Sequence, residues 1–528
     1  MPGLHFIDIG VIVVYLTAMV GIGVYCSRRQ TSASEYLLAN RSVGWFAIGL
    51  SLLASLNSAA DYVIGPAQIL EFGFMNFVWI IPVFLSFPFI FGQFIPFYSR
   101  LRVYNCYEYL ERRFSLAVRL LVTSLFIVWR ITWMGATIYL PAYVLNIVMG
   151  FDLYWTILLL GLITTVYTAV GGVRGVVWTD VSQAFIMFIG LILAVWLVIE
   201  KIPGGFGEMW SVSRDKGFMY FTAKIPEMAQ AESWWERLQV YFSAPLTFWS
   251  MIVVGTLSKL TSYGADQVMV QRYLSSRSLD DCKRGFAINT VAYIIYSVLG
   301  IALGMALFAY FTLNPLPQGA TYEYMFPYFI GNHMPPVMKG LIIAAIYAAA
   351  QSSVSAGVTA ATSAIYTDFY LRLGYGHVSA EEQDAGLTEW KKVWFARICA
   401  LCLGICVTLF ACEFKDLAES GGLFAAFRKV VGIFEGLLIP IFLLGMFSKR
   451  VNSTGVLAGA LCGFAASFYW GFYTSLGFSW NTAVAFLVTM LAAHVVSLFT
   501  AAPEAAKLDW LWRAVMEREP VTAAEGST

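Results

Sequence analysis

Long apolar stretches follow one another through almost the whole sequence, and they limit the chain to one class of fold. A bilayer core about 30 Å thick is crossed by a helix of about 20 apolar residues. Within it, backbone polar groups must be satisfied inside the chain, which leaves only helices and closed barrels. Only 12% of the residues are charged, against about 25% in soluble domains. We therefore expect an all-α polytopic membrane protein.

Thirteen stretches have the length and hydropathy of spans. The first lacks a basic leading region and a small-residue cleavage site, which favours a span over a signal peptide. The predicted spans lie near 5–26, 44–70, 76–98, 116–148, 152–170, 176–200, 240–262, 285–312, 336–370, 392–412, 424–447, 453–475 and 481–500. We expect a single transmembrane domain over 1–503 and a cytoplasmic tail over 504–528.

Basic residues gather in alternate connections between these spans. Arg28 and Arg29 follow the first span and Arg112 and Arg113 the third, whereas the connections at 71–75 and 149–151 hold no lysine or arginine. Because cytoplasmic loops carry the excess of basic residues, this alternation predicts an outside N-terminus and an inside C-terminus. We expect a multi-pass protein of the cell membrane.

Other classes of protein are disfavoured by the same composition. The net charge of +1 and the lack of a long basic run exclude a nucleic-acid-binding surface. The four histidines lie near span ends or in loops, so no nucleophile–base pair or metal triad is indicated and we do not expect an enzyme. A sensor or channel that binds ligand without accumulating it stays open as an alternative, although no output domain is present.

Two stretches place polar residues inside predicted spans, where they are costly and therefore informative. "ASLNSAADYVIGP" (54–66) combines small residues and poor helix formers with Asp61, and "AAAQSSVSAGVTAATS" (348–363) is rich in hydroxyls. Hydroxyl and carbonyl oxygens suit a hard cation, whereas small residues also allow helices to pack closely. The serine-rich stretch alone favours close packing. Estimated depths bring both stretches into the inner half of the bilayer, which makes a cation between them reasonable.

Several longer motifs, in order, carry a resemblance. They are "YEYLERRFS" (107–115), "MGATIYLPAYVLN" (134–146), "VYTAVGGVRGVVWTD" (166–180), "YGADQVMVQRYL" (263–274), "AAAQSSVSAG" (348–357) and "TSAIYTDFY" (362–370). By these motifs the chain resembles the sodium:solute symporter family, which includes sodium–glucose, sialic-acid, iodide and multivitamin transporters. The likeness runs from about residue 6 to residue 500.

The resemblance implies a LeuT-like fold of two inverted five-helix repeats, over about 44–200 and about 240–447, with two last spans over 453–500. It implies sodium-coupled secondary active import of a small polar organic solute by alternating access, by a protein that functions as a monomer.

The resemblance also implies a sodium site, which is the only metal expected. Its ligands would be the carbonyls of Ala54, Asn57 and Ala349 and the hydroxyls of Ser352 and Ser353. Asp180 and Ser355 would lie near this site or on the ion's release path. Some relatives hold a second sodium with two further serines, but the second of these positions is Ala356 here. One sodium is therefore expected.

Asp61 and Arg130 are charges for which the family pattern gives no role. Asp61 shares a helical face with Ala54 and Ser58, one to two turns outward of the expected ion, where solute contacts fall. Three alternatives stay open: an Asp61–Arg130 ion pair, a solute-binding role for Asp61 alone or with Arg130, and proton coupling through Asp61. Ser58, Trp133, Trp249 and Tyr263 are further candidates for the solute site. The solute could be a sugar, a sugar acid, a monocarboxylate or an amino acid.

Overall fold

The described part of the computed structural model is a bundle of helices. It covers the chain apart from residues 1–4, 29, 221–224, 226–227, 229, 317–320, 375–386, 420–422, 475 and 521–528, and it gives the backbone alone for 387, 416–419, 423–430 and 478. Among the described residues there is no strand, only one isolated bridge between Val43 and Ser276.

Within the described residues, fourteen helices build the bundle. They are α1 (Phe6–Ser27), α2 (Trp45–Leu56), α3 (Ala60–Phe72), α4 (Ile81–Phe89), α5 (Leu116–Met149), α6 (Leu153–Glu200), α7 (Phe248–Gly264), α8 (Gln267–Ser275), α9 (Leu279–Leu313), α10 (Met338–Ala364), α11 (Leu387–Glu419), α12 (Leu423–Phe447), α13 (Ser453–Tyr473) and α14 (Asn481–Leu498). Shorter helices connect them at Ala33–Leu38, Ile95–Tyr98, Tyr107–Arg113, Gly205–Asp215, Trp234–Ser243, Tyr322–His333, Ala505–Leu508 and Trp512–Met516.

The predicted span 44–70 is broken in its middle. α2 ends at Leu56, the backbone of Asn57 is extended (φ −90°, ψ 136°), and α3 begins at Ala60. Asp61 stabilises the restart, because its Oδ2 accepts a hydrogen bond from the backbone N–H of Ser58 at 2.7 Å. Such a break frees backbone carbonyls, which is tolerated at membrane depth only where protein or a cavity surrounds them.

A second break divides α6. Its 48 residues would span about 72 Å as a straight helix, more than twice the bilayer core. Gly172 interrupts it with φ +56°, and a Cβ atom there would come within 2.9 Å of Cδ2 of Tyr36. The two predicted spans 152–170 and 176–200 are therefore two segments joined at a position that requires glycine.

α10 lies at the centre of the bundle, against α1, α2, α5, α6 and α11. Its small residues permit this: a Cβ atom on Gly357 would approach Sδ of Met134 to 2.5 Å, and one on Gly190 of α6 would approach Cβ of Ala345 to 2.2 Å. Close backbone approach is the usual basis of helix association in membranes. The serine-rich stretch of α10 is thereby held against α2 and α6.

By length and hydropathy, nine helices of the described chain could cross a membrane, or ten if the bent pair of Trp234–Ser243 and α7 is one span. Ten spans are three fewer than the thirteen predicted, for three reasons. The two halves of α6 are counted as one helix, α3 is counted together with the helix that follows it, and the described apolar part of α12 is short. The number of crossings and the sidedness of the termini remain predictions.

Candidate functional site

Five oxygen atoms converge where the break between α2 and α3 faces α10. The hydroxyl of Ser352 lies 2.9 Å from the carbonyl oxygen of Ala54 and 3.0 Å from that of Ala349. The hydroxyl of Ser353 lies 3.0 Å from the carbonyl oxygen of Asn57. The structure therefore brings together all five residues from which the family resemblance implies ion ligands, although the sequence separates them by about 300 positions.

The two serine hydroxyls of this cluster face more carbonyl oxygens than they have protons to donate. Ser352 faces two carbonyl oxygens, and Ser353 also lies 3.3 Å from the carbonyl oxygen of Ser55. A hydroxyl has one proton and can donate to only one acceptor at a time. Each serine hydroxyl therefore satisfies only one of the two carbonyl oxygens that it faces, and a cation at this position would interact with all of these oxygens.

The ligand atoms are neutral, and this limits the ion. Within the part of the chain that the structure describes, no group of three His, Cys, Asp or Glu residues is placed to hold a metal. Carbonyl and hydroxyl oxygens suit hard cations, whereas transition metals prefer imidazole or thiolate ligands.

Asp180 lies beside the oxygen cluster and is connected to it through Ser55. The carboxylate accepts hydrogen bonds from the hydroxyls of Ser51 (2.6 Å) and Ser55 (3.1 Å) and pairs with Arg272 at 3.3 Å. The carbonyl of Ser55 in turn faces Ser353. Arg272 is not among the predicted site residues, although it lies inside the motif "YGADQVMVQRYL" (263–274).

Ser355 is one turn along α10 from this cluster. Its hydroxyl donates to the carbonyl oxygen of Ser352 at 3.2 Å, within the helix. Ala356 is fully buried and supplies no side-chain oxygen.

Asp61 lines a cavity of about 240 Å³ between α3 and α9. Three buried polar atoms around this cavity have no hydrogen-bond partner among the described residues: Nε2 of Gln68, Nε1 of Trp79 and the hydroxyl of Tyr296. Buried polar groups are almost always paired. A polar ligand in the cavity would supply the missing partners.

Lys259 brings the opposite charge to this cavity. Its ammonium lies 3.7 Å from the ring centre of Tyr293, which lines the cavity, and it interacts electrostatically with Asp61. No ion pair within 4 Å joins Asp61 and Lys259 in the described structure. The sequence contained the signal, because Lys259 is the single charged residue of the predicted span 240–262.

Arg130 is not a partner of Asp61, so the alternative of an Asp61–Arg130 ion pair is wrong. Arg130 pairs instead with Asp266, and its guanidinium lies 4.6 Å from the ring of Trp129. Asp266 is available because it caps α8 with one oxygen, which accepts from the N–H of Val268 at 2.9 Å. The other oxygen remains for Arg130.

The remaining candidates lie at different places. The hydroxyl of Ser58 accepts from the N–H of Ala60 at 3.2 Å, within the break. Trp133 packs against the main core. Tyr263 is buried and accepts from Nδ2 of Asn289 at 2.8 Å. Trp249 is 58% exposed, and the structure does not bring it to the cavity.

Glu435 is a further buried carboxylate near Arg130. It accepts from the hydroxyl of Ser258 at 2.6 Å and interacts electrostatically with Arg130. Arg130 therefore has two carboxylates near it, Asp266 and Glu435.

The chain is similar to proteins of one known family. A model of the sodium:solute symporter family matches residues 36–463. The chain is 29% identical over 510 residues to the sodium/sialic acid symporter SiaT of Proteus mirabilis (strain HI4320), covering 96% of this chain and 97% of that one. It is 31% identical over 476 residues to the human sodium/iodide cotransporter, covering 88% of this chain and 69% of that one.

Solved structures agree with the sequence matches. The substrate-bound outward-open state of a Na⁺-coupled sialic acid symporter superposes with a TM-score of 0.82 at 28% identity, covering 95% of this chain and 99% of that one. Mhp1, a nucleobase-cation-symport-1 family transporter, superposes with a TM-score of 0.54 at 14% identity, covering 91% and 98%. The second likeness shows a shared fold alone.

Proposed function

Because this chain belongs to the sodium:solute symporter family and is a sodium-coupled solute symporter, we propose that it carries one sodium ion with one zwitterionic solute. The resemblance in the motifs is thereby confirmed, and the family consists of transporters rather than enzymes. In the proposal, the oxygen cluster binds the ion and the cavity of Asp61 binds the solute. Alternating access then carries both into the cell.

One observation carries the ion site: two buried serine hydroxyls each face two carbonyl oxygens with a single proton. Sodium binds there through Ala54, Asn57, Ala349, Ser352 and Ser353. The ion satisfies the carbonyls that the serines cannot, and it joins α10 to the break between α2 and α3. Asp180 and Ser355 lie along its path of release.

The two sites are coupled through Asn57. Its carbonyl faces Ser353 in the ion site, and the same residue lines the solute cavity. Four residues further on, Asp61 holds the N–H of Ser58. An ion that fixes the backbone at Asn57 therefore fixes the position of Asp61, so sodium raises the affinity for solute by ordering the break.

The charges around the cavity favour a zwitterion, such as an amino acid. Asp61 would bind an ammonium group and Lys259 a carboxylate, and Gln68, Trp79 and Tyr296 would make the remaining hydrogen bonds. Sugars and monocarboxylates leave Asp61 with Lys259 as its nearest opposite charge, and the two make no ion pair within 4 Å. A charged group at this depth is costly without a partner.

The residue at position 356 supports a single sodium. A second sodium would lack the oxygen that Ala356 does not supply. We further propose a monomer of the cell membrane with thirteen spans, an outside N-terminus and an inside C-terminus, in keeping with the basic connections.

The test is uptake by proteoliposomes that contain the purified full-length protein. The solutes are L-alanine, propionate, ethylamine and glucose, each with an inward sodium gradient, with a proton gradient alone, and with neither. We expect L-alanine, or another amino acid in a wider panel, to accumulate above equilibrium with sodium only. Equilibration without accumulation would indicate a channel or sensor, and accumulation with protons alone would indicate proton coupling through Asp61.

A further inference from the structure

Two cavities outside the solute site adjoin at Arg174 and Trp178. One has a volume of about 580 Å³ and lies between α1 and α6, with Gly21 among its walls. The other has a volume of about 440 Å³ and lies beside the first turn of α2, with Arg277 and Asp281 among its walls. Because both are lined by Arg174 and Trp178, we treat them as one feature, the α1–α6 recess.

The chemistry of the recess changes along its length. The part against α1 is apolar, with Ala18, Gly21 and Ile22 as walls. The part beside α2 is polar and holds Arg277 and Asp281. An amphipathic molecule matches this change, with its chain against α1 and its polar end beside α2.

Aromatic residues mark the boundary between the two parts. Trp178 is 49% exposed and Trp45 is 42% exposed, and both line the recess. Half-exposed tryptophans are typical of the level at which lipid head groups meet the hydrocarbon core. The recess therefore lies at a membrane interface, with its apolar part toward the hydrocarbon.

The position of the recess in the bundle indicates which leaflet of the membrane it faces. It lies where α1 ends, where α2 begins and just beyond the break at Gly172. The alternation of basic residues predicts that this end of the bundle is cytoplasmic. A lipid in the recess would come from the cytoplasmic leaflet.

The charged groups of the recess define a head group. Arg174 uses Nη1 for Glu35 at 2.9 Å, which leaves its other N–H groups. Arg277 is 64% exposed at its side chain, and its Nε lies 4.0 Å from Oδ2 of Asp281, beyond hydrogen-bond distance. Two guanidinium groups suit one phosphate, and the carboxylate of Asp281 suits an ammonium group.

We propose that the α1–α6 recess binds a glycerophospholipid of the cytoplasmic leaflet whose head group carries a phosphate and a free ammonium, as in phosphatidylethanolamine. Arg174 and Arg277 bind the phosphate, Asp281 binds the ammonium, and one acyl chain lies along Gly21 and Ile22. Basic pockets between helices on the cytoplasmic side are known lipid sites in membrane proteins. This proposal is independent of the solute and of the number of sodium ions.

The test is native mass spectrometry of the full-length protein, purified from vesicles that contain either phosphatidylethanolamine or phosphatidylcholine together with phosphatidylglycerol. Arg277→Gln removes one phosphate ligand. Its control is Arg284→Gln, which removes an equally exposed arginine in the first part of α9 that pairs with Asp280 outside the recess. Gly21→Phe fills the apolar part, and its control is Gly10→Phe, because both glycines of α1 have open space where a Cβ would stand.

We expect phosphatidylethanolamine to be retained by the parent protein and by both controls, and to be lost from Arg277→Gln and Gly21→Phe. Phosphatidylcholine, whose ammonium is methylated, should be retained less than phosphatidylethanolamine. Retention unchanged in Arg277→Gln and Gly21→Phe would overturn the site. Preferential retention of phosphatidylglycerol would overturn the assignment of the head group.

Discussion

The hydroxyl of Ser353 on α10 lies 3.0 Å from the carbonyl oxygen of Asn57, where α2 ends. This contact links a continuous helix to a broken one, and Asn57 also lines the solute cavity. In the proposed mechanism, this one residue therefore contributes to ion binding and to solute binding. Variants of the proposed ion ligands and variants of the cavity residues should therefore separate changes in sodium affinity from changes in solute affinity.

Ser352→Ala removes one hydroxyl of the ion site without altering the backbone. We expect the sodium concentration for half-maximal uptake to rise by about tenfold, because a hydrogen-bonding group facing a charge contributes roughly 1.5–3 kcal/mol. Ser363→Ala is the control, since Ser363 is also fully buried on α10 and its hydroxyl has no partner among the described residues. Equal sodium dependence in both variants would rule Ser352 out as a ligand.

Asp61→Asn and Lys259→Gln test the two ends of the proposed solute. Each should raise the KM for a zwitterionic solute by about tenfold or more, because each leaves one buried charge of the solute without a partner. The sodium dependence should change less. Glu71→Gln removes an exposed carboxylate from the same helix as Asp61 and should leave the KM unchanged. If the KM for the amino acid were unchanged in both variants, Asp61 and Lys259 would not be recognising its charges.

Arg130 and Asp266 should behave as a structural pair rather than as a solute site. Either Arg130→Gln or Asp266→Asn alone leaves a buried charge unpaired and should destabilise the protein by roughly 3–5 kcal/mol. The double variant removes both charges and should recover much of the thermal stability in detergent, together with sodium-driven uptake. A double variant that is stable but takes up no solute would indicate that Arg130 is part of the solute site.

The fold could be predicted further than the solute site. Apolar length and alternating basic residues indicate a polytopic helical bundle, and the family motifs predicted five ion ligands that the structure brings together around Ala54 and Ser352. Lys259 was missed although its span contains no other charge, because a lone lysine gives no sign of which helix it will face. The partner of Arg130 was not predicted for a similar reason, since the one carboxylate considered as an alternative was Asp61. Its partner Asp266 lies in a connection between helices, where polar residues are common and carry little information.

The pH dependence of stability tests a contact outside the membrane spans. Burial alone would raise the pKa of Glu111, but hydrogen bonds from Arg372 and Arg119 hold that pKa below its usual value. A carboxylate with a lowered pKa stabilises the folded state above its unfolded pKa of about 4.3, and this contribution is lost as the pH falls through the folded value. Glu111→Gln should therefore lower the thermal unfolding temperature at pH 7. On acidification to about pH 4, the unfolding temperature of the variant should fall by less than that of the parent protein. Since Glu111 is partly exposed, the effect should be about 1 kcal/mol or less. An equal acid-induced drop in both proteins would contradict the assignment.

Gly172→Ala tests the break that divides α6. The substitution places a Cβ at φ +56° and within 2.9 Å of Cδ2 of Tyr36 and 3.0 Å of Nε2 of Gln30. Gly150→Ala is a control for a positive φ without a collision, because Gly150 has φ +70° and ψ 17° and nothing within 4 Å of its Cβ position. The control measures the backbone cost of a left-handed conformation, roughly 1–2 kcal/mol. Gly172, at ψ −169°, lies in a region that is essentially restricted to glycine, so its further loss combines a larger backbone cost with the collision. We expect thermal unfolding in detergent to show a clearly larger loss of stability for Gly172→Ala, since Tyr36 is almost fully buried and has little room to move. Equal losses of stability in the two variants would mean that α6 can move away from the helix Ala33–Leu38 and avoid the collision without loss of stability.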